Sequence, residues 1–200
     1  DLANVTDDEV KKIKKAWLDH KVLVFRDQHI TVEEHIAFGR KFGELEIHPF
    51  ARGGHVGLGD YPEILRIASN PEKEFAAVIW HSDVTWREEP SLGSILRGVV
   101  IPKTGGDTMF ACMEAAYESL SGAMKNMLAQ LSTSNRYDKT AARSDKMKNK
   151  IPDVEEPTMV AVHPLIRVHP ETGRPSLYIT DPQTTTHFNN MTPEESLPII

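Results

Sequence analysis

The stretch AAVIWHSDVTW, residues 76–86, places a histidine and an aspartate two positions apart within a run of strand-forming residues. Apolar, β-branched and aromatic residues of this kind predict a β-strand. Side chains at positions i and i+2 of a strand point to the same face, so His81 and Asp83 would direct an imidazole and a carboxylate to one point, with Ser82 on the opposite face. The stretch therefore makes His81 and Asp83 a candidate pair of metal ligands.

The His-x-Asp pattern alone is a weak signal. Nine histidines, each with a 29-in-200 chance of an acidic residue two positions later, give about 1.3 such pairs by accident. A second pair, His169 and Glu171, leads into the sequence PETGRP (170–175), which predicts a turn with diverging side chains. The strand-like context favours His81 and Asp83, which would fill two adjacent positions of an octahedral 2-His-1-carboxylate iron site.

Short strands separated by proline and glycine are predicted along most of the chain. This pattern indicates a mainly β core, a sandwich or a barrel, with helices at its edges. The predicted strands are KVLVFR (21–26), PEILRIAS (62–69), AAVIWHSDVTW (76–86), SILRGVVI (94–101), DTMFA (107–111), MVAVHPLIRVH (159–169) and SLYIT (176–180).

Helices are predicted by capping patterns and by apolar spacing. Capping boxes that start at Thr6 and Thr31 predict a surface helix and a second helix through Phe42. Residues 113–131 return to helical spacing, with a break at Ser121-Gly122. The polar residues 132–158 lack a clear period, and a stretch of this length is usually disordered or a lid over a binding site. We treat 132–158 as a candidate lid.

The composition favours a small molecule as the partner. A formal charge of −6 gives no reason to expect nucleic acid or an anionic membrane, and no apolar run approaches the ~20 residues that span a bilayer. The single cysteine, Cys112, cannot form an internal disulfide, which suits a reducing compartment. We expect a cytoplasmic protein, and a homo-oligomer stays open.

Two further segments make the pattern specific. The sequences WHSDVTW (80–86) and PKTGGDTMFACMEAAYESLS (102–121), separated by the fifteen residues 87–101, together resemble the taurine and aryloxyalkanoate (TauD/TfdA-like) family of Fe(II)/2-oxoglutarate dioxygenases. The likeness continues in residues 1–28 and 163–179, so it covers nearly the whole chain. It implies a single dioxygenase domain over residues 1–200 with a double-stranded β-helix (jelly-roll) core. It also implies an enzyme that binds Fe(II) and hydroxylates a small organic acid. The reaction would consume 2-oxoglutarate and O2 and release succinate and CO2.

The resemblance also assigns roles to residues. His81 and Asp83 would be iron ligands, and Thr108, after the turn glycines of GGDT, would bond the far carboxylate of 2-oxoglutarate, with Leu96 lining the same cavity. The residues that would contact the substrate are His48, Val84 and Trp86.

Three positions depart from the taurine pattern. Ala51 and Ala77 stand where a tyrosine and an asparagine would contact the sulfonate, and Trp86 replaces a phenylalanine of the pocket wall. A larger flat surface suits an apolar or aromatic substrate. An aryloxyalkanoate or an alkyl sulfate is therefore as good a candidate as a sulfonate.

The family's third iron ligand, a histidine, and the arginine that binds 2-oxoglutarate are expected beyond Ile200, together with the closing strands of the jelly roll. Thr192 and Pro193 predict the start of a helix just before the sequence stops. Histidines within the chain that could compete for the third position are His163, His169 and His187.

Two other classes of protein remain alternatives at this point. A non-catalytic metal-binding or ligand-binding β-barrel could use the same face of His81 and Asp83. A metallohydrolase could also do so, since a bound ion can activate water.

Overall fold

The computed structural model describes residues 1–47, 57–68, 79–136, 160–181 and 184–200. The chain divides into two compact units, Asp1–Glu74 and Phe75–Ile200. Among the sequence predictions, those for His48, Ala51 and Ala77 and for residues 137–158 of the candidate lid lie outside the described ranges. Every helix in the described ranges is too short or too polar to cross a membrane.

The first unit pairs helices with a short hairpin. After a 3-10 helix at Leu2–Asn4 come α1 (Asp7–His20) and α2 (Val32–Arg40), and β1 (Gly57–Leu58) pairs antiparallel with β2 (Tyr61–Leu65). Both predicted capping boxes are present, whereas α2 ends two residues before the predicted Phe42.

Contacts between α2 and β2 hold this unit together. Arg40 binds Glu63 at 2.9 Å, and the Tyr61 hydroxyl donates to the Glu33 carboxylate. That hydrogen bond lowers the pKa of Glu33 and raises the pKa of Tyr61, because it stabilises the carboxylate and the protonated phenol. Phe38 packs edge-to-face against Phe42, with ring centroids 5.2 Å apart.

The second unit contains two small antiparallel sheets. In the first, β3 (Ser132–Arg136) lies between β4 (Val160–Pro164) and β7 (Thr185–Phe188). In the second, β5 (Ile166–Val168) pairs with β6 (Pro175–Leu177) across the predicted turn, where Gly173 has φ +67°. The strand predicted at 159–169 is therefore confirmed in most of its length, as β4 and β5, whereas the one predicted at 176–180 is confirmed only at 176–177.

Three helices flank these sheets. The helix predicted over 113–131 is split as expected into α3 (Met113–Glu118) and α4 (Gly122–Leu128), with Ser121 capping the second. The predicted last helix is α5 (Pro193–Ser196), capped by Thr192. The buried core of this unit is formed by Leu128, Leu165 and Phe188.

Four of the predicted strands are wrong where the structure describes them. No strand forms at 21–26, 79–86, 94–101 or 107–111. A strand needs a neighbour for its backbone hydrogen bonds, and no described segment pairs with these four. In the third of them, Val100 is 89% exposed and Leu96 75%.

The candidate lid also needs correction at its start. Residues 132–136 form the buried strand β3 rather than a loop. The sequence STSNR contains no apolar residue, so hydrophobic alternation gave no signal. Thr133, Ser134 and Asn135 are buried, and the side chains of Thr133 and Asn135 hydrogen-bond to each other and to the neighbouring strands, which makes burial of these polar groups possible.

Candidate metal site

His81 and Asp83 lie at the entrance of a tight turn, not on a strand. Residues 83–86 form the turn, which the hydrogen bond from Arg87 N to Val84 O closes at 3.1 Å. Val84 has φ +49° and its side chain is 3% exposed. A β-branched residue in this region of φ is strained, so the surrounding contacts must hold the turn in place.

The turn brings the two predicted ligands together. His81 Nε2 lies 3.4 Å from Asp83 Oδ1, although the same-face strand geometry that predicted their convergence is absent. The opposite ring nitrogen, His81 Nδ1, lies 2.8 Å from the carbonyl oxygen of Ile79. Because a carbonyl only accepts hydrogen bonds, Nδ1 must donate its proton there.

This hydrogen bond fixes the imidazole in the form that binds metals. With the proton on Nδ1, the neutral ring presents the Nε2 lone pair to a carboxylate oxygen, and two acceptors at 3.4 Å repel each other unless a cation lies between or beside them. A proton or a metal ion can supply that charge. The side chains are 40% and 67% exposed, so an ion can reach them from solvent.

The donor set fits an octahedral divalent ion such as Fe(II), for which one imidazole nitrogen and one carboxylate oxygen are suitable ligands. Within the described ranges, no group of three or more His, Cys, Asp or Glu side chains is arranged to hold a metal. If an ion binds here, the pair would supply two of the three protein ligands of a facial triad.

The three histidines named above as candidates for the third ligand position lie in other parts of the second unit. His163 is buried, and its Nε2 lies 2.9 Å from both Thr85 O and Arg87 O. His169 Nδ1 accepts hydrogen bonds from the backbone of the β5–β6 turn. His187 lies on β7, opposite Ser134 of β3.

Of the other predicted site residues, Val84, Trp86, Leu96 and Thr108 belong to the second unit. Thr108 and Leu96 are exposed, in segments without helix or strand, and neither hydrogen-bonds to the His81–Asp83 pair in the described structure. The positive φ of Gly105 and Gly106, +78° and +74°, agrees with the turn predicted before Thr108. Both Val84 and Trp86 lie in the turn, where Trp86 is half-buried and Val84 is buried.

Sequence reasoning missed the residues that support the turn. Thr180 hydrogen-bonds the backbone of Ser82, and His163 bonds the carbonyls of Thr85 and Arg87. The partners are 76 to 98 positions apart, and a threonine in a strand-like run has no pattern that distinguishes it. Only the fold reveals this contact.

The first unit contains a cleft of about 610 Å³. Its charged lining includes Arg40 and Glu63, which neutralise each other through their ion pair. Because Glu44 also lines the cleft, the lining carries a net negative charge and does not favour an anionic ligand.

Comparison with known proteins identifies the family. The profile of the "Taurine catabolism dioxygenase TauD, TfdA family" matches residues 1–200. The chain is 32% identical over 188 residues to a (S)-phenoxypropionate/alpha-ketoglutarate-dioxygenase of Sphingobium herbicidovorans, covering 89% of this chain and 64% of the relative. It is 35% identical over 177 residues to a protein of Acinetobacter baylyi named alkylsulfatase, covering 85% of this chain and 54% of the relative.

A solved structure agrees. The crystal structure of a taurine dioxygenase from Burkholderia xenovorans superposes with a TM-score of 0.77 at 34% identity, covering 100% of this chain and 63% of that chain. This likeness confirms the predicted fold class, a jelly-roll core with flanking helices. The chain spans less than two thirds of the length of these relatives. The family profile matches the chain along its whole length, and the chain therefore belongs to the TauD/TfdA dioxygenase family.

Proposed function

We propose that this protein is an Fe(II)/2-oxoglutarate-dependent dioxygenase that hydroxylates a small anionic organic compound. One O2 is consumed, one oxygen atom enters the substrate and the other enters succinate, and CO2 is released from 2-oxoglutarate. Membership of the family supports the reaction class. The observation that supports it at the level of atoms is the 3.4 Å approach of His81 Nε2 to Asp83 Oδ1, with the imidazole proton held on Nδ1.

In this proposal His81 and Asp83 hold the metal, which when bound would supply the redox chemistry that activates O2. The Ile79 carbonyl keeps the His81 ring in its binding tautomer and orientation. The exposed position of the pair leaves the remaining positions around an ion open to a chelating 2-oxo acid and to O2. The proposal includes Thr108 and Leu96 as contacts of 2-oxoglutarate.

The substrate class follows from the relatives and from the departures from the taurine pattern. The names of the relatives include a phenoxypropionate dioxygenase and an alkylsulfatase. We place His48, Val84 and Trp86 at the substrate, and the indole of Trp86 offers a flat apolar surface for an aryl or alkyl group. We also propose that residues 1–200 belong to one dioxygenase domain, because the family profile matches all of them. A cytoplasmic location completes the proposal, and a homo-oligomer stays open.

The test uses the whole gene product, because the relatives are longer than this chain. The purified protein is given Fe(II), 2-oxoglutarate and either (S)-phenoxypropionate, an alkyl sulfate or taurine under ¹⁸O2. We expect one labelled oxygen in succinate and one in the product of the preferred substrate. His81→Ala should abolish both, whereas His29→Ala, the removal of an exposed histidine in the first unit, should change neither.

Two results would contradict the proposal. The first is succinate formation that persists in a folded His81→Ala protein. The second is turnover of an ester with oxygen drawn from water and without succinate, which would indicate a metallohydrolase.

A further inference from the structure

A group of buried polar side chains is hydrogen-bonded to the turn that carries the candidate metal site. We call it the polar belt, and each member is at most 8% exposed although none is apolar. A polar group buried without hydrogen bonds is costly, so such a group needs mutual satisfaction. The members are Thr133, Asn135, His163, Thr180 and Thr185.

Hydrogen bonds connect the belt from one side of the sheet to the other. Thr185 Oγ1 donates to Asn135 Oδ1 at 2.8 Å, and Asn135 Nδ2 donates to Thr133 Oγ1 at 3.0 Å. Thr133 Oγ1 donates in turn to the carbonyl of His163 at 3.3 Å. At the other end, the Thr180 amide donates to Thr185 Oγ1 at 3.3 Å.

The two ends of the belt hold the turn that contains Asp83. On the first side, Thr180 Oγ1 accepts from Ser82 N at 3.0 Å, and Ser82 is the residue between the two metal ligands. On the second side, His163 Nε2 lies 2.9 Å from Thr85 O and 2.9 Å from Arg87 O. Both of these atoms are acceptors, so Nε2 carries a proton and donates to them.

The turn therefore has one attachment before Asp83 and one after it. The attachments bracket Val84, whose φ of +49° is unfavourable for a β-branched residue. Such a conformation persists only where surrounding contacts determine it. Tyr178 adds to the second attachment, because its ring packs edge-to-face on His163 with centroids 5.1 Å apart.

We propose that Thr180 and His163 are positioning residues that set the geometry of the His81–Asp83 pair through the backbone of the turn. This inference rests on the proposed function of that pair. In this proposal neither residue is a metal ligand, and each holds backbone atoms within four positions of Asp83. Loss of either attachment releases the turn to relieve its strain at Val84, which moves the Asp83 carboxylate away from the imidazole and weakens metal binding.

The test measures Mn(II) affinity of the whole gene product by calorimetry, without turnover. Mn(II) is an octahedral ion that accepts the same donors. Thr180→Val removes the hydroxyl and keeps the shape of the side chain, and we expect it to weaken Mn(II) binding about 10- to 100-fold, as loss of an outer contact to a metal site commonly does. Thr180→Ser keeps the hydroxyl and should restore most of the affinity.

His163 is tested with the same logic. His163→Phe removes the donor to Thr85 O and Arg87 O and should weaken Mn(II) binding, whereas the amide of His163→Gln can donate in place of Nε2 and should retain more affinity. Ser196→Ala is the control, because it removes an equally buried hydroxyl that bonds Phe188 and Thr192 instead. It should lower stability and leave Mn(II) affinity unchanged.

The outcomes separate the two proposals. Wild-type protein that binds Mn(II) independently of His81 and Asp83 would overturn the proposed function and this inference together. Mn(II) binding that depends on the pair but is unchanged in Thr180→Val would overturn this inference alone. Should His163→Phe fail to fold, the Thr180→Val and Thr180→Ser pair decides the question.

Amide hydrogen exchange gives a second readout: belt variants should speed exchange in residues 82–87, and Ser196→Ala should not.

Discussion

Replacement of Asp83 by alanine should separate metal binding from folding. The Asp83 side chain is 67% exposed, and its Oδ1 lies 3.4 Å from Nε2 of the His81 imidazole. Contacts between exposed polar and charged side chains change stability by only about 0–1 kcal/mol. Asp83→Ala should therefore change the free energy of unfolding of the metal-free protein by less than about 1 kcal/mol.

The metal-bound state should respond differently. An ion that binds only the folded state stabilises it by RT ln(1 + [L]/Kd), which is about 2.7 kcal/mol at a concentration 100 times Kd. Asp83 is one of two ligands that the described ranges supply, so its loss removes most of this stabilisation. The difference between the two effects is larger than the error of a careful unfolding experiment.

The assay is urea unfolding of the whole gene product with and without Mn(II), followed by tryptophan fluorescence. Glu89→Ala is the matched control, because it removes an exposed carboxylate six positions away. Wild type and Glu89→Ala should gain equally from Mn(II), and Asp83→Ala should gain little. An equal gain in Asp83→Ala would refute the assignment of this carboxylate to the metal, and a large loss of stability without metal would show a structural role instead.

Three further predictions concern folding. Phe188→Ala should lower the free energy of unfolding by about 3–5 kcal/mol in urea denaturation, because the ring is fully buried in the core of the second unit; a loss below about 1 kcal/mol would contradict this. Thr192→Ala should cost about 1 kcal/mol in the same assay through the capping box of α5, and an unchanged midpoint would show that the cap does not contribute. Hydrogen bonds from Thr6 lower the pKa of Glu9, so the cap of α1 stabilises the fold above the ordinary glutamate pKa and is lost as pH falls through the lowered value. Acid titration of wild type and Glu9→Gln should show this difference, and identical acid unfolding curves would argue against it.

Local signals in the sequence were sufficient for the helices. Thr6 and Thr31 each precede a glutamate by three positions, and both capping boxes form. The break at Ser121-Gly122 was also predictable, since glycine is a poor helix residue and serine a good N-cap. These effects act within one turn of helix, which is why they can be recognised without knowledge of the fold.

The strands were harder to predict because their stability depends on distant partners. Residues 94–101 have strand-forming composition but no described neighbour, whereas β3, with the sequence STSNR, is a strand because β4 and β7 flank it. At the candidate site, we expected His81 and Asp83 to be close because they would share one face of a strand. They are close, but the turn at Val84 places them there rather than a strand. The contact of Thr180 with Ser82 spans 98 positions and has no local signature.

The polar character of β3 has a consequence for the alignment of the sheet. A strand normally resists slippage because a shift by one residue would expose its apolar face, but β3 has no apolar face to expose. Directional hydrogen bonds fix the alignment instead, since Asn135 reaches Thr185 at 2.8 Å next to the irregularity where β3 pairs with β7. Replacing Asn135 with serine and Thr185 with alanine would remove this hydrogen bond without giving β3 an apolar side chain, so little would then distinguish one pairing from the next. The sheet would then be able to adopt several strand alignments of similar energy. The protein would stay compact but would no longer have one defined alignment.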